Sequence, residues 1–187
     1  MRTPLLTVLF ACLLTPAASA MSFFPAFDYL EANQPPQVQP PTSGMADRVV
    51  MKKAERRLYL MQGDRPIRAY EIALGTRPAG HKRLEGDGRT PEGRYILDSR
   101  NARSRYYKSL HLSYPNARDR IWARARGGNP GGLIMIHGQP NGRAELGRAG
   151  LAAGVRDWTF GCIAVSNLAL DDIWSLTVDG TPIEILP

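Results

Sequence analysis

The amino-acid sequence predicts a mainly β domain that carries a few short α-helices. Short apolar runs follow one another at close spacing, as they do in antiparallel sheets. Glycine, aspartate and proline residues that favour turns separate these runs. Only a few stretches show a helix-capping residue or a terminating glycine. The chain has 187 residues, 43% of them hydrophobic, which is enough for one globular domain with short additions.

The domain is predicted to open with three strands. They cover residues 48–51, 57–61 and 67–74, with a turn between the last two. A glycine- and charge-rich loop, residues 75–93, follows them. A loop of this length inside a compact domain is usually functional or disordered.

The middle of the chain is predicted to add strands at residues 95–97 and 110–113. Asn116 is placed to cap a helix over residues 117–126, which two glycines would end. Residues 133–136 form an unbroken apolar run, which is typical of a buried strand. In the last third, helices are predicted over residues 144–153 and from a cap at Ser166 or Asn167 to about residue 177, and a strand over residues 183–186.

Residues 1–20 are predicted to be a cleaved export signal. Arg2 is the only charge among them, an apolar run covers residues 5–14, and Ala18-Ser19-Ala20 is a small-residue pattern that signal peptidase accepts. An apolar run of about ten residues is too short to cross a bilayer as a helix. We therefore expect a periplasmic protein with no stable membrane insertion after cleavage. The alternative is a lipoprotein signal that uses Cys12, which would leave the protein lipid-anchored.

Residues 21–45 are predicted to be a proline-rich tether, because residues 34–41 contain four prolines and such segments tend to be extended. The domain then covers residues 46–187. Cleavage after Ala20 removes Cys12 and leaves Cys162 as the single cysteine. A lone cysteine in an exported protein is a buried inert thiol, half of an intermolecular disulfide, or a reactive group.

The formal charge of +7 is concentrated in one segment. Eight arginine and lysine residues lie between Arg100 and Arg126, with Asp119 as the only acid among them. An anionic partner is one interpretation of this basic segment, and a solvated face is the other. Nucleic acid is not expected as the partner of an exported protein.

His137 and Cys162 are the candidate catalytic pair. His137 follows a predicted buried strand, and strand ends are where a rigid scaffold presents side chains to a cleft. Gly161 lets the backbone before Cys162 approach a ligand closely, so that amide groups there can meet an oxyanion. A thiol with a pKa of about 8.5 is mostly protonated at neutral pH, so a nucleophilic cysteine needs a histidine beside it. One mature cysteine and three scattered histidines lack the spacing of a metal site.

The motifs around these two residues resemble those of the L,D-transpeptidase (YkuD-type) family. Ile136-His137-Gly138 and Thr159-x-Gly161-Cys162-Ile163 are similar to the family signature, HG followed by [ST]xGC[IV]. Residues 86–95, GDGRTPEGRY, match its GD…TPxGxY element. Residues 109–116, 157–159 and 161–167 resemble the YafK-like branch more closely. The resemblance covers residues 46–187.

The resemblance implies a YkuD-type β-sandwich and an acyl transfer that needs no cofactor. Cys162 would attack the L-centre carbonyl of diaminopimelate in a peptidoglycan stem peptide, and an amine acceptor would take the acyl group. His137 would move the proton. Amides around Gly161 and Cys162 would form the oxyanion hole, and Thr159 and Gly138 would shape the turns of the site.

Two positions depart from the family pattern. Phe160 stands where many members have histidine, which leaves His137 as the only local base. Ala164 stands where many have arginine, so substrate contacts are expected elsewhere. The candidates are Arg103 and Arg105 of the basic segment, and His111.

Three functions stay open. The thioester can pass to an amine, as in a transpeptidase, or to water, as in a carboxypeptidase or an amidase that releases a protein or other group attached to peptidoglycan. The domain can also bind peptidoglycan without catalysis. The first two functions share every catalytic residue, and the intact pair of histidine and cysteine counts against the third.

Overall fold

The computed structural model describes residues 44–142 and 156–187. These residues form eight strands and two helices, which confirms the predicted mainly β fold with short helices. The predicted export signal, nearly all of the predicted tether and the predicted helix over residues 144–153 lie outside the described residues. The strands are β1 (Arg48–Lys52), β2 (Arg57–Gln62), β3 (Arg65–Glu71), β4 (Gly93–Ser104), β5 (Tyr107–Leu112), β6 (Met135–His137), β7 (Ile163–Ala164) and β8 (Pro182–Leu186), and the helices are α1 (Ala117–Arg124) and α2 (Asn167–Leu176).

The strands pair in the order β3-β2-β1-β8-β4-β5-β6-β7. Neighbours are antiparallel except for β1 with β8 and β6 with β7, which are parallel. Strand β4 joins two half-sheets, because its first residues pair with β8 and its later residues pair with β5. Side chains of both half-sheets meet in one hydrophobic core, as expected for the predicted sandwich.

Alternating side chains build this core. In β1 and β2, Val49, Met51, Leu58 and Leu60 are fully buried while their neighbours reach solvent. A period of two places every second side chain on the same face of a sheet. Each leucine or methionine buried in this way contributes about 1.5–3 kcal/mol relative to an exposed one.

Several strand boundaries differ from the predictions. Strand β4 continues to Ser104, whereas only residues 95–97 were expected, because its polar second half is exposed and is held by pairing with β5. Strand β3 ends at Glu71 instead of residue 74. Strand β6 starts at Met135 instead of residue 133, since Leu133 has a φ of +55° and leaves the strand conformation.

Both described helices begin at their predicted caps. The Asn116 side chain accepts hydrogen bonds from the backbone N–H groups of Arg118 and Asp119, and the Asp119 carboxylate accepts one from the Asn116 N–H. Ser166 caps α2 through the Ala169 N–H. Neither described helix is long and apolar enough to cross a membrane.

Candidate active site

His137 ends β6, and Cys162 directly precedes β7, the neighbouring parallel strand. Ile136 lies opposite Ile163 and His137 opposite Ala164, in strands that run about 4.8 Å apart. Ile136 and Ile163 are fully buried in the core. Because side chains alternate along a strand, His137 lies on the face of β6 opposite to that of Ile136, and Cys162 stands directly before the adjoining strand β7.

The imidazole of His137 is held in one tautomer. It is 4% exposed, and its Nδ1 lies 2.8 Å from the carbonyl oxygen of Gly138. A carbonyl can only accept, so Nδ1 carries the hydrogen and Nε2 is left as the acceptor. Burial lowers the pKa of His137, although the Gly138 carbonyl opposes this shift. The ring is therefore a neutral base near pH 7.

Aromatic side chains enclose the His137 ring. The ring centroid of Tyr106 lies 4.6 Å from that of His137, and the Trp158 ring meets it edge-on at 5.7 Å. Tyr106 sits at the tip of the β4–β5 hairpin, and Trp158 directly precedes Thr159. These rings restrict the imidazole and exclude water from it, which accounts for its burial.

The Cys162 thiol is half-buried and protonated. Its Sγ lies 3.5 Å from the carbonyl oxygen of Leu133, which accepts a hydrogen bond from the thiol. Burial raises the pKa of Cys162. A backbone hydrogen bond with Met135 and the Lys82 charge lower this pKa, but by smaller amounts. Among the contacts of the described residues, no hydrogen bond joins Sγ to His137. Such bonds are often long before substrate binds.

Thr159 closes the turn that presents Cys162. Its hydroxyl donates to the Cys162 carbonyl at 2.7 Å and accepts from the Gly161 N–H at 3.1 Å. One hydroxyl therefore holds both partners, and Thr159 as a whole is 4% exposed. The Gly161 N–H is thereby engaged within the turn, whereas the Cys162 N–H takes part in none of the turn and loop hydrogen bonds described.

Glycine is required at Gly161. Its φ is +129°, and a Cβ there would lie 2.6 Å from the carbonyl oxygen of Arg89 in the loop over residues 75–93. A Cβ at Gly138 would lie 2.5 Å from Oδ1 of Asn167 and 2.9 Å from Cβ of Tyr107. The two glycines therefore let neighbouring segments pack directly on the site.

Asp157 anchors the entry to the turn. It accepts hydrogen bonds from Nε and Nη2 of Arg56, at 3.0 and 2.7 Å, and from the Leu74 N–H at 3.0 Å. The Thr159 N–H donates to the Leu74 carbonyl, and the Thr76 N–H donates to the Thr159 carbonyl. The turn is thus tied to the segment that follows β3.

The other two histidines have different environments. Both ring nitrogens of His81 are used, since Nδ1 accepts from the Glu92 N–H and Nε2 contacts Asp119 at 2.9 Å. His81 is therefore structural. His111 pairs with Met135 across β5 and β6, on the same face as His137, and its Nδ1 lies 2.6 Å from Asp98.

The basic segment does not act as one free surface. Arg100 binds Asp179 and the Trp174 carbonyl near the end of α2, and Lys108 binds Asp171. Arg103 and Arg105 are exposed, at the end of β4 and in the hairpin turn next to Tyr106. Arg105 directly precedes Tyr106, whose ring contacts that of His137.

A cavity of about 610 Å³ opens beside β7. Ala164 and Trp158 line it, and Arg57 and Arg156 bring two guanidinium groups to its wall, with Glu71 as the acid among them. Arg57 contacts Glu71 at 3.6 Å. Two side chains beside the thiol also face solvent: Phe160 is 84% exposed and Leu133 is 73% exposed.

The structure places Thr159, Gly161 and Cys162 in one turn, directly before the strand that pairs with β6, which ends at His137 and is followed by Gly138. Sequence reasoning did not identify Tyr106, the Leu133 carbonyl or the two arginines of the cavity. Tyr106 lies 31 positions from His137 in the sequence, so only the β4–β5 hairpin reveals its contact. The Leu133 carbonyl is a backbone atom, which no side-chain pattern marks.

Known proteins share this architecture. YafK of Escherichia coli K12, which carries the name of an L,D-transpeptidase, is 30% identical over 121 residues, or 63% of this chain and 40% of YafK. The helical cell shape determining protein Pgp2 of Campylobacter jejuni is similar with a TM-score of 0.54 and 27% identity, over 73% of this chain and 46% of Pgp2. Bd1075 of Bdellovibrio bacteriovorus shares the fold, with a TM-score of 0.52 and 24% identity, over 78% of this chain and 49% of Bd1075.

The aligned part of the chain thus spans less than half of each of these relatives. The relationship to YafK confirms the predicted resemblance to that branch. The family model of the L,D-transpeptidase catalytic domain, YkuD, matches residues 46–185. This match covers most of the sequence, and it shows that the chain belongs to the YkuD-type L,D-transpeptidase family.

Proposed function

We propose that this chain is a peptidoglycan-modifying cysteine acyltransferase, with Cys162 as nucleophile and His137 as general base. One observation carries the proposal. Cys162 directly precedes β7, which pairs with the strand that ends at His137, and the Gly138 carbonyl holds Nδ1–H so that Nε2 can accept a proton. This is the arrangement that activates a thiol at neutral pH.

The resting pair is neutral under this proposal. Burial raises the pKa of Cys162 and lowers the pKa of His137, and both shifts disfavour a thiolate beside an imidazolium. The thiol proton therefore moves to Nε2 as the substrate is attacked. Sγ first turns from the Leu133 carbonyl towards His137.

In the first half-reaction, Sγ attacks the L-centre carbonyl of diaminopimelate in a stem peptide while Nε2 takes the thiol proton. The tetrahedral intermediate collapses, and the C–N bond to the following D-residue breaks. The imidazolium returns its proton to the departing amine. A thioester on Cys162 and a free D-amino acid result.

In the second half-reaction, an amine acceptor attacks the thioester and gives its proton to His137. The C–S bond breaks, and the sulfur recovers the proton. If water replaces the amine, the same steps release a carboxylic acid, and the enzyme is a hydrolase.

The Cys162 backbone N–H is assigned as an oxyanion donor. The Gly161 N–H is already donated to Thr159, whereas that of Cys162 is not engaged in the turn. A donor in place before the reaction stabilises developing charge without reorganisation. Removing one such donor costs about 3–4 kcal/mol of transition-state stabilisation in other acyl-transfer enzymes.

The stem peptide is proposed to extend from Cys162 into the cavity that Ala164 and Trp158 line. The small Ala164 side chain leaves room there, and Arg57 and Arg156 supply the positive charge that a stem-peptide carboxylate needs. The exposed Arg103 and Arg105 at the hairpin, and His111 near Met135, are proposed to contact more distant parts of the same substrate.

Product analysis tests the proposal. Purified protein is incubated with stem-peptide muropeptides, with and without an amine acceptor, and the products are identified by mass. A new bond to the amine is expected, with loss of the terminal D-residue. Products shortened only by hydrolysis would assign the hydrolase function, and unchanged muropeptides would leave only the binding function.

The periplasm is the proposed location, because peptidoglycan lies outside the cytoplasmic membrane. A mature protein that begins at Met21 in the periplasmic fraction is the expected result. A lipid-modified Cys12 at the N-terminus would instead show a membrane anchor.

A further inference from the structure

The proposed reaction creates a buried positive charge on His137. The residue is 4% exposed, and its ring Nδ1 is hydrogen-bonded to the Gly138 carbonyl at 2.8 Å. When the thiol proton moves to Nε2, the ring becomes an imidazolium that little water can reach. Such a cation is costly unless a neighbouring group stabilises it. In Ser-His-Asp triads an aspartate does so, but no carboxylate of the described residues contacts His137.

The charged groups on the elements packed around His137 are paired with each other or exposed. They are Lys108 with Asp171 and His111 with Asp98 on β5, Asp157 with Arg56 before the Cys162 turn, and the exposed Arg105 on the hairpin. The two residues of β7 are apolar, and the Cys162 thiol is protonated at rest. The imidazolium therefore has to be stabilised by a group without a formal negative charge.

The ring of Tyr106 is in direct contact with the imidazole. The two ring centroids are 4.6 Å apart, and the ring planes are inclined by 41°. An aromatic ring is negative on its face, and it attracts a cation that lies within about 6 Å of its centroid. The Trp158 ring is farther away, at 5.7 Å, and is inclined by 70°. Tyr106 is therefore the ring that is better placed to stabilise a charge on His137.

Hydrogen bonds of the hairpin backbone hold Tyr106 in this position. Its carbonyl accepts from the Gly138 N–H at 3.0 Å, and its N–H donates to Oγ of Ser104 at 3.1 Å. Asn141 adds three hydrogen bonds to backbone groups of the hairpin, at 2.9, 2.9 and 3.0 Å. The tip of the β4–β5 hairpin is thus fastened to the segment that directly follows His137.

The hairpin keeps an uncommon backbone conformation at this point. Tyr107 has a φ of +67°, which few residues other than glycine adopt. Such conformations persist where the surroundings enforce them, and they are concentrated at functional sites. A Cβ on Gly138 would lie 2.9 Å from Cβ of Tyr107 and 3.1 Å from the Tyr106 carbonyl oxygen, so the hairpin packs directly on this glycine.

We propose that Tyr106 is a positioning residue whose aromatic ring stabilises the imidazolium form of His137. The proposal rests on the proposed function in that His137 is taken as the general base. It concerns the protonation of the ring itself, so it is tested without any peptidoglycan substrate. A failure of turnover on muropeptides and a failure of this proposal are therefore separate results.

The test is the pKa of His137, followed by NMR through the imidazole Hε1 signal and assigned with His137→Gln. Tyr106→Leu keeps an apolar cover over the imidazole but removes the aromatic ring. The pKa of His137 should fall by about one unit in this variant, because the imidazolium loses its attraction to the ring. If Tyr106 only shields His137 from water, the smaller leucine should leave that pKa unchanged or raise it, since desolvation lowers the pKa of a histidine. Either of these results would overturn the proposal.

Tyr106→Phe is the matched control. It keeps the ring and removes only the hydroxyl, so the pKa of His137 should equal that of the wild type. A fall as large as that in Tyr106→Leu would assign the effect to the hydroxyl and contradict the proposal. His81 and His111 are internal controls in every spectrum, and equal shifts of all three histidines in Tyr106→Leu would also contradict it.

Tyr106 is 39% exposed at the hairpin tip, so its replacement should leave the core intact, which circular dichroism checks. If Tyr106→Leu does not fold, trifluorinated phenylalanine is incorporated at position 106 instead. Fluorine withdraws electron density from the ring face and changes the shape of the ring little. A pKa of His137 below that in Tyr106→Phe then supports the proposal, and an equal pKa overturns it.

Discussion

The Nδ1 atom of His137 lies 2.8 Å from the carbonyl oxygen of the next residue, Gly138. This contact selects the tautomer with a proton on Nδ1 and leaves Nε2 as a base. The same glycine packs against Asn167 and Tyr107 with no room for a Cβ, so its carbonyl is held in place. The roles proposed for His137 in catalysis and in pH dependence follow from this arrangement.

Replacing His137 by glutamine should lower kcat by a factor of about 10²–10⁴, the usual contribution of a positioned general base. Glutamine is close in size and polar, so the fold should persist. His111→Gln is the control, since His111 contacts Asp98 on a neighbouring strand. Steady-state kinetics on a stem peptide give the comparison. A loss below tenfold in His137→Gln, with a larger loss in His111→Gln, would transfer the role of base to His111.

The acidic limb of the pH profile should report His137. Burial lowers its pKa below the ordinary 6.5, and protonation removes the acceptor on Nε2. Activity should therefore hold as the pH falls to 6.5 and decline only below it. The quantity to measure is kcat/KM, which follows ionisations of the free enzyme. An inflection above 6.5 would contradict the neutral resting pair.

Thr159→Val should destabilise the turn before Cys162. The variant loses the hydroxyl that donates to the Cys162 carbonyl and accepts from the Gly161 N–H. An unsatisfied buried group costs about 1–3 kcal/mol, and chemical denaturation measures that difference. Thr159→Ser keeps the hydroxyl and should recover most of the stability. Equal stability in all three proteins would mean that the turn does not depend on this hydroxyl.

Two double arginine variants distinguish between the two proposed groups of substrate contacts. Arg57→Gln with Arg156→Gln should raise KM more than it lowers kcat, as expected for lost uniform binding. Arg103→Gln with Arg105→Gln removes the same charge from the exposed hairpin and should have a smaller effect. Raising the salt concentration should weaken that smaller effect further, because exposed charges are screened within about 8–10 Å. An unchanged KM in the first double variant at low salt would exclude the cavity as the anchor.

Much of the fold was predictable because burial in β1, β2 and β8 alternates with a period of two. Capping residues likewise marked the starts of α1 and α2. The second half of β4 was not predictable in this way. Its sequence, DSRNARS, is polar and exposed, and it is a strand only because β5 folds back on it. Local patterns carry no information about such pairing.

The candidate catalytic pair was predictable from motifs, whereas its surroundings were not. The Cys162 and His137 positions follow from short signatures at strand ends. The enclosure of His137 by Tyr106 and Trp158 depends on contacts between segments that are distant in the sequence.

The covalent intermediate tests the central claim most directly. The protein is mixed with a stem tetrapeptide, quenched in acid, and examined by intact mass and peptide mapping. We expect an adduct equal to the acyl fragment without its terminal D-residue, located on Cys162 and absent from Cys162→Ala. An adduct on another residue, or turnover by Cys162→Ala at the wild-type rate, would contradict catalysis by this thiol.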